Sequence, residues 1–109
     1  MKFSVNQQDL QQALSYCQGV IEKRSTLPIL SNVLLDVGNS RLTIIATDLD
    51  LIFIHRISNI EVMEEGKTTT TSSIMYDIIR KFSSGKKINL TLNDTNKLQL
   101  ESEKSIFNL

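Results

Sequence analysis

Two long apolar runs in the first half of the chain restrict the fold more than any other feature. The first run, residues 24–37, reads RSTLPILSNVLLDV, and the second, residues 42–57, reads LTIIATDLDLIFIHRI. Both runs are rich in aliphatic residues that favour strands. Pro28 lacks a backbone donor, so it suits the start or the edge of a strand. We therefore expect consecutive antiparallel strands at 29–37, 41–46 and 49–57.

The third of these strands has apolar residues on both faces around 51–54, which indicates burial on both sides. Thr47-Asp48, just before it, fits a two-residue hairpin turn in which aspartate tolerates a left-handed backbone. Asp48 and Asp50, with Asp36, are the only starting point for a metal site or a carboxylate enzyme site. Such sites need several converging carboxylates, and no general base or nucleophile accompanies these. The sequence therefore predicts no metal, no cofactor and no catalytic residue.

An amphipathic helix is expected after a short strand at 2–5. Asn6 is a suitable N-cap, and Gly19 is expected to end the helix. An apolar stripe would face the core, formed by Leu10, Ala13, Leu14, Cys17 and Ile21. The opposite face would meet solvent and is rich in glutamine, with Gln7, Gln8, Gln11, Gln12, Ser15 and Gln18.

A second amphipathic helix is expected near residue 72, with Ser72 or Ser73 as its cap. Its inward residues would be Ile74, Met75, Ile78, Ile79 and Phe82. Arg80 and Lys81 would lie in its last turn, where positive charge complements the helix dipole. An acidic surface loop is expected before this helix, at Glu61, Glu64 and Glu65. Three more strands are expected after it, at 87–92, 97–101 and 105–109.

Length and composition describe one globular domain. The 109 residues have room for one hydrophobic core, and two helices on one side of antiparallel sheet make an α+β domain. The 12 basic and 12 acidic residues cancel, whereas a chain that grips DNA alone usually carries a basic excess. Cys17 is the only cysteine, and no signal peptide or membrane span is visible, so we expect a cytoplasmic protein. Cys17 should be a core residue, and His55, the only histidine, a partly buried strand residue.

Several short motifs occur in one order along the whole chain. They are TLPIL at 26–30, Asn32 with Leu34-Leu35, TDL at 47–49 and, more weakly, Asp77-Ile78, Arg80, Gly85 and Phe107-x-Leu109. Together they resemble the first domain of the bacterial DNA polymerase III beta subunit family, the replicative sliding clamps. The resemblance implies one clamp domain over residues 1–109, with two amphipathic helices packed on two small antiparallel sheets. It also implies that the chain is truncated in its last strand and that a second and a third domain are absent.

The resemblance further implies a function without catalysis. In the family, two subunits close head to tail into a ring, the helices line a hole around duplex DNA, and the ring tethers the polymerase as a processivity factor. DNA polymerase III and the clamp loader bind to later domains, and no membrane is involved. The residues near DNA would be Lys23, Arg24, Arg80 and Lys81. The subunit interface would contain Lys104, Ile106, Phe107 and Leu109.

Each of these residues also has a simpler interpretation. The four cations are also typical of solvated charge or, at 80–81, of a complement to the helix dipole. Lys104 could be a plain surface lysine, and Phe107 and Leu109 could be ordinary core residues. For the whole chain, the alternative function is a stand-alone α+β interaction module that pairs its exposed edge strand with a partner.

Overall fold

A computed structural model gives the structure of residues 1–21, 32–47 and 51–109. This part of the chain contains two helices, α1 (Gln7–Ile21) and α2 (Ser72–Ile79). Its strands are β1 (Lys2–Asn6), β2 (Asn32–Gly38), β3 (Arg41–Thr47), β4 (Ile52–Ile57), β5 (Ile60–Glu64), β6 (Gly66–Thr71), β7 (Lys87–Leu92), β8 (Leu98–Ser102) and β9 (Ser105–Asn108). Neither of these helices is long and apolar enough to cross a membrane. The predictions for Pro28, Asp48 and Asp50 lie outside the described residues.

The strands form two antiparallel sheets. One sheet has the order β5-β1-β7-β8-β9, and the other has the order β4-β3-β2-β6. Buried and exposed residues alternate along the strands, as in β2, where Val33, Leu35 and Val37 are buried. The predicted α+β architecture of two helices and two small antiparallel sheets is therefore confirmed.

The two halves of the chain have the same topology. The first unit is β1-α1-β2-β3-β4, and the second is β6-α2-β7-β8-β9. In each unit the strand before the helix joins the sheet of the other unit, because β1 pairs with β7 and β6 pairs with β2. Strand β5 is an addition on the outer side of β1. This exchange ties both units into one body and makes β4 and β9 equivalent terminal strands.

The two helices lie antiparallel and are joined by side-chain hydrogen bonds at both ends. Near the start of α1, Gln7 Nε2 donates to the Ile79 carbonyl at the end of α2, at 2.9 Å. Near the end of α1, Gln18 Oε1 accepts a hydrogen bond of 3.1 Å from the Ser72 hydroxyl at the start of α2. These contacts fix the position of one helix along the other.

One apolar core connects both helices with both sheets. Its members include Phe3, Val5, Leu10, Ala13, Leu14, Cys17, Leu35, Leu42, Ile44, Met75, Ile79, Ile88, Leu90 and Leu100. Burial of one such aliphatic side chain contributes about 1.5–3 kcal/mol, so this core is the main source of stability. The predicted stripe of the first helix is confirmed at Leu10, Ala13, Leu14 and Cys17, all fully buried.

The limits of α1 match the prediction at one end only. Asn6 caps the helix as predicted, because its Oδ1 accepts a hydrogen bond of 2.9 Å from the Gln8 backbone N–H. The expected end at Gly19 is wrong, since the helix runs on to Ile21. A Cβ added at Gly19 would meet no atom within 4 Å, and the Gly19 backbone is not left-handed, so the glycine has no capping role.

The ends of α2 also differ from the prediction. Thr71 is the N-cap residue, without a side-chain cap hydrogen bond. Ser72 cannot cap because it is buried and its hydroxyl is used by α1. At the other end, Arg80 is the C-cap and Lys81 follows it, so neither lies in the last turn. Ile74, expected inside, is half exposed.

Strand β4 is not buried on both sides, contrary to the prediction. Ile52 is 73% exposed and Ile54 is 46% exposed. The reason is that only the other face of β4 packs towards the helices, through Phe53 and the buried Ile57. A run of apolar residues cannot reveal whether one face of a strand or both faces will be covered.

The expected acidic loop is a strand. Glu61 and Glu64 belong to β5, which pairs with β1, while Ile60 and Val62 pack against the core. Glu65 alone joins β5 to β6, and its Oε2 accepts a hydrogen bond of 3.0 Å from the Asn39 backbone N–H. Glu61 and Glu64 are exposed positions of this strand, and the register is irregular before Glu64, so the acidic stretch has no regular alternation that would predict a strand.

Candidate nucleic-acid interface and subunit edge

An open polar groove runs between the two helices. Its volume is about 730 Å³, and its walls are Gln7, Gln8, Asp9, Gln11, Gln12, Ser15, Tyr76 and Ser84. Most of the lining therefore comes from the face of α1 that is opposite the buried stripe. The groove offers amide and hydroxyl groups, with a single carboxylate at Asp9.

Gln7 is the buried side chain at the base of this groove. It is only 2% exposed, although the sequence places it on the solvent face of the helix. Its Nε2 donates to the Ile79 carbonyl at 2.9 Å and to Gln11 Oε1 at 2.7 Å. Its Oε1 is buried and has no hydrogen-bond partner among the described residues. Gln7 thus connects the two helices through its amide nitrogen, while its buried oxygen stays unpaired among the described residues.

Arg80 lies beside the groove, and its guanidinium already interacts with Tyr76 and Asp77. Its guanidinium carbon is 5.4 Å from the ring centroid of Tyr76, a groove residue, and its Nη1 is 4.0 Å from Asp77 Oδ1. Both charged side chains are more than half exposed, so the ion pair is weak and the guanidinium can still meet an anion. The position is compatible with the predicted contact with DNA.

Lys81 lies in a different place from Arg80. It lines a small cavity of about 130 Å³ together with Phe82, Ser83, Ser102, Glu103, Lys104 and Ser105. The structure therefore brings Lys81 near Lys104, one of the predicted interface residues, at the turn between β8 and β9. Lys23 and Arg24, the other two predicted DNA-proximal residues, lie outside the described residues.

Strand β9 ends the five-stranded sheet and has no strand beyond it within the described ranges. Phe107 is turned inward, with its ring 5.5 Å from that of Phe82 in an edge-to-face contact. The Leu109 backbone N–H donates to the Leu98 carbonyl at 2.8 Å. Ile106 points the other way and is 52% exposed. The predicted alternation is confirmed, with Phe107 and Leu109 packed against the core.

Side chains that could together hold a metal ion do not assemble in the described part of the chain. No three His, Cys, Asp or Glu side chains come together there. Cys17 is a buried core residue, and this burial raises the pKa of its thiol to about 11, which disfavours the reactive thiolate. His55 is partly buried, as predicted, and stacks with Phe53 at 6.1 Å between ring centroids.

Two residues of the groove were not recognised from the sequence as special. Gln7 follows the N-cap directly, so helical periodicity alone gave it a polar, exposed position. Tyr76 was assigned no role, although it lies four residues before a basic side chain, Arg80, that can stack on it. For Tyr76 the i, i+4 spacing to Arg80 was an available signal, whereas the burial of Gln7 depends on the second helix.

Comparison with known proteins agrees with this architecture. The family described as DNA polymerase III beta subunit, N-terminal domain, matches residues 1–109. The beta sliding clamp of Caulobacter vibrioides (strain NA1000 / CB15N) is 37% identical over 111 residues, which cover 100% of this chain and 29% of that protein. The beta sliding clamp of Escherichia coli (strain K12) is 33% identical over 109 residues, which cover 100% of this chain and 30% of that protein.

A solved structure shows the same fold. Caulobacter crescentus pol III beta superposes with a TM-score of 0.90 at 36% sequence identity, over 100% of this chain and 29% of that one. The chain spans about three tenths of the length of the curated relatives that it matches. Because the family match extends over all 109 residues, the chain belongs to the family of the DNA polymerase III beta subunit, N-terminal domain.

Proposed function

We propose that this chain is the N-terminal domain of a DNA sliding clamp, a replication processivity factor that encircles duplex DNA and tethers the replicative polymerase. The domain contributes one segment of the ring wall and does no chemistry itself. Membership of the family and similarity to proteins named as beta sliding clamps support this proposal. The expected place of action is the cytoplasm, where the polymerase and the clamp loader bind to other domains of the full-length subunit.

The observation that carries the proposal is the pair of open terminal strands. The last strand of each unit is terminal in its sheet, β4 beside β3 and β9 beside β8, with no described strand on its outer side, and the internal repeat makes these two edges equivalent; β6 and β5 form the opposite edges. A segment of a closed ring must contact one neighbour on each side, and strand pairing at sheet edges is a direct way to do so. A domain with two equivalent edges meets this requirement.

At the β9 edge we place the contact with the second subunit of a head-to-tail dimer. Ile106 is the exposed apolar residue of this strand, and Lys104 is an exposed charge at the preceding turn. Phe107 and Leu109 would act less directly, since they hold β9 on the core. The backbone of β9 would supply pairing, while Ile106 would supply apolar contact.

The helix surface would face the duplex. Arg80 lies at the groove between the helices, and Lys81 lies beyond it towards the β8–β9 turn. Together with Lys23 and Arg24, they would make weak contacts with phosphate. The balance of 12 basic and 12 acidic residues fits a binding mode in which closure around DNA, and not ionic attraction, prevents dissociation.

Retention on circular DNA tests this function. The full-length natural polypeptide that contains this chain should be loaded on a nicked circular plasmid by its clamp loader and ATP, then separated from free protein by gel filtration. We expect the protein to elute with the circle and to be lost when a restriction enzyme makes the plasmid linear. Equal retention on linear and circular DNA, or loss from both, would contradict topological binding.

A further inference from the structure

The solvent face of α1 carries a row of neutral hydrogen-bonding side chains. Gln8, Gln11, Gln12 and Ser15 have the spacing i, i+3, i+4 and i+7, which places them on one side of a helix, and all line the groove. Gln8 and Gln12 are exposed, and no described residue forms a hydrogen bond with their side-chain amides. Their amide N–H groups are therefore available to a ligand.

Gln7 orients another amide of this row. Gln11 Oε1 accepts a hydrogen bond of 2.7 Å from the buried Gln7 Nε2. One lone pair of the Gln11 oxygen is thus engaged and the amide is held in one orientation, with its Nε2 as a donor at the groove. A fixed amide N–H donor suits an anionic ligand.

Cations are absent from the described helices. Asp9 is the only charged residue in α1, and Asp77 is the only one in α2. Arg80 lies just past the end of α2 and interacts with both Asp77 and the ring of Tyr76. Arg56 on β4 lines a second cavity together with Asp9 and Gln12. The side chains that line the groove itself offer neutral donors, and both cations come from outside the helices.

We propose that this row of glutamines contacts the DNA backbone through neutral amide donors and so forms a low-friction sliding surface; this inference rests on the proposed function. A lysine that neutralises a phosphate releases counterions, and each such contact must be broken as the protein moves. A glutamine amide that donates to a phosphate oxygen gives up a hydrogen bond to water, so the net gain in binding free energy is small. The glutamines can therefore hold the duplex at a set distance without slowing its passage.

Single-molecule tracking of the full-length protein on DNA tests this inference. The double substitution Gln8→Lys with Gln12→Lys should lower the one-dimensional diffusion coefficient roughly twofold to fivefold at low salt, the range expected for exposed ionic contacts. The effect should shrink as salt rises, because salt screens these contacts. Substitution of both residues by alanine should leave the salt dependence of diffusion unchanged.

A matched control is Gln99→Lys, which adds the same charge on strand β8, at a position whose neighbours Leu98 and Leu100 point into the core. It should diffuse like the parent protein. Gln12→Lys alone is a second variant, clear of the first helical turn, in case lysine at position 8 disturbs the helix start.

The two proposals fail in different ways. If Gln8→Lys with Gln12→Lys, and Gln12→Lys alone, diffuse like Gln99→Lys at low salt, the inference about the glutamine row is wrong, even when the protein stays on circular DNA. If the alanine variant loses salt dependence that the parent protein has, the row acts through charge and the inference is also wrong. Loss of retention on circular DNA by the parent protein rejects the proposed function itself.

Discussion

At the scale of single residues, Gln7 is the most informative side chain. It occupies a position that helical periodicity assigns to solvent, and yet it is buried between the two helices. Its amide nitrogen serves acceptors on both helices, while its oxygen has no partner among the described residues. Position 7 therefore has a specific requirement for glutamine, because few other side chains could donate hydrogen bonds to both acceptors.

We expect Gln7→Glu to destabilise the domain by about 1–3 kcal/mol at neutral pH, since a carboxylate cannot donate to the Ile79 carbonyl or to Gln11. Burial would raise the pKa of the new carboxyl above its value in the unfolded chain. The stability of the variant should therefore be highest at low pH and fall as pH rises through the raised pKa. Urea denaturation at several pH values measures this.

The control for this prediction is Gln12→Glu, which places the same charge on the exposed face of α1. It should change the free energy of unfolding only slightly, because exposed charges remain hydrated. A Gln7→Glu variant as stable as Gln12→Glu at neutral pH would show that Gln7 is not the link between the helices.

At the scale of secondary-structure elements, β5 is the strand that breaks the internal repeat. Within its sheet, β5 pairs with β1 alone. The register of this pairing is irregular between Lys2 and Phe3 of β1. An ion pair from Lys87 on β7 to Glu61 on β5 passes over β1. The hydrogen bond and the charge of Lys87 lower the pKa of Glu61. This ion pair therefore connects the edge strand β5 with β7, the next strand after β1 in the sheet.

We expect Glu61→Gln to lower the thermal midpoint slightly at neutral pH and to have no effect in acid. Because the pKa of Glu61 is lowered in the folded state, its contribution is complete above the ordinary carboxyl pKa and is lost as pH falls through the lowered pKa. Melting curves of parent and variant should converge at low pH.

Glu101→Gln is a suitable control, because Glu101 is exposed on β8 and forms no ion pair with a described residue. Its melting curve should follow that of the parent protein at every pH. If Glu61→Gln behaved in the same way at neutral pH, the contact between Lys87 and Glu61 would have no role in holding β5.

At the scale of the whole molecule, the decisive feature is the exchange of strands between two similar units. The exchange puts the last strand of each unit at an edge of a sheet, β4 in one sheet and β9 in the other, while β6 and β5 form the opposite edges. An open edge carries unpaired backbone donors and acceptors and is a natural place for association. The exposed Ile52 and Ile54 on β4 and the exposed Ile106 on β9 make both edges apolar as well.

We expect Ile106→Asp in the full-length protein to weaken dimerisation at least tenfold, equivalent to about 1.4 kcal/mol. A charge would be buried at the junction without a partner, whereas in the free subunit it would stay hydrated. Sedimentation velocity over a range of concentrations measures the change, and circular dichroism checks that the subunit remains folded.

The matched control is Met63→Asp, which alters a similarly exposed apolar residue on β5, at the other edge of the same sheet. It should leave the dimer intact. Equal dimer affinity for Ile106→Asp and the parent protein would move the subunit junction away from the β9 edge.

Several features were determined by the sequence alone, because they depend on local chemistry. The period of the apolar residues placed the core stripe of α1 and most of the strands, and Asn6 marked the start of α1 by its capping side chain. The alternation along β9 correctly separated Phe107 and Leu109 from Ile106. The ordered motifs pointed to the family that the whole chain matches.

Only the tertiary structure decided which strands are terminal and which polar groups are buried. The apolar residues of β4 predicted burial on two faces, but only the face with Phe53 and Ile57 packs against the core. The sequence predicted that Gln7 would be exposed and that Ser72 could cap a helix. In the structure each side chain instead forms a hydrogen bond with the opposite helix. The reason is physical: hydrophobic periodicity records what a residue prefers, whereas burial and pairing depend on which distant segment lies against it.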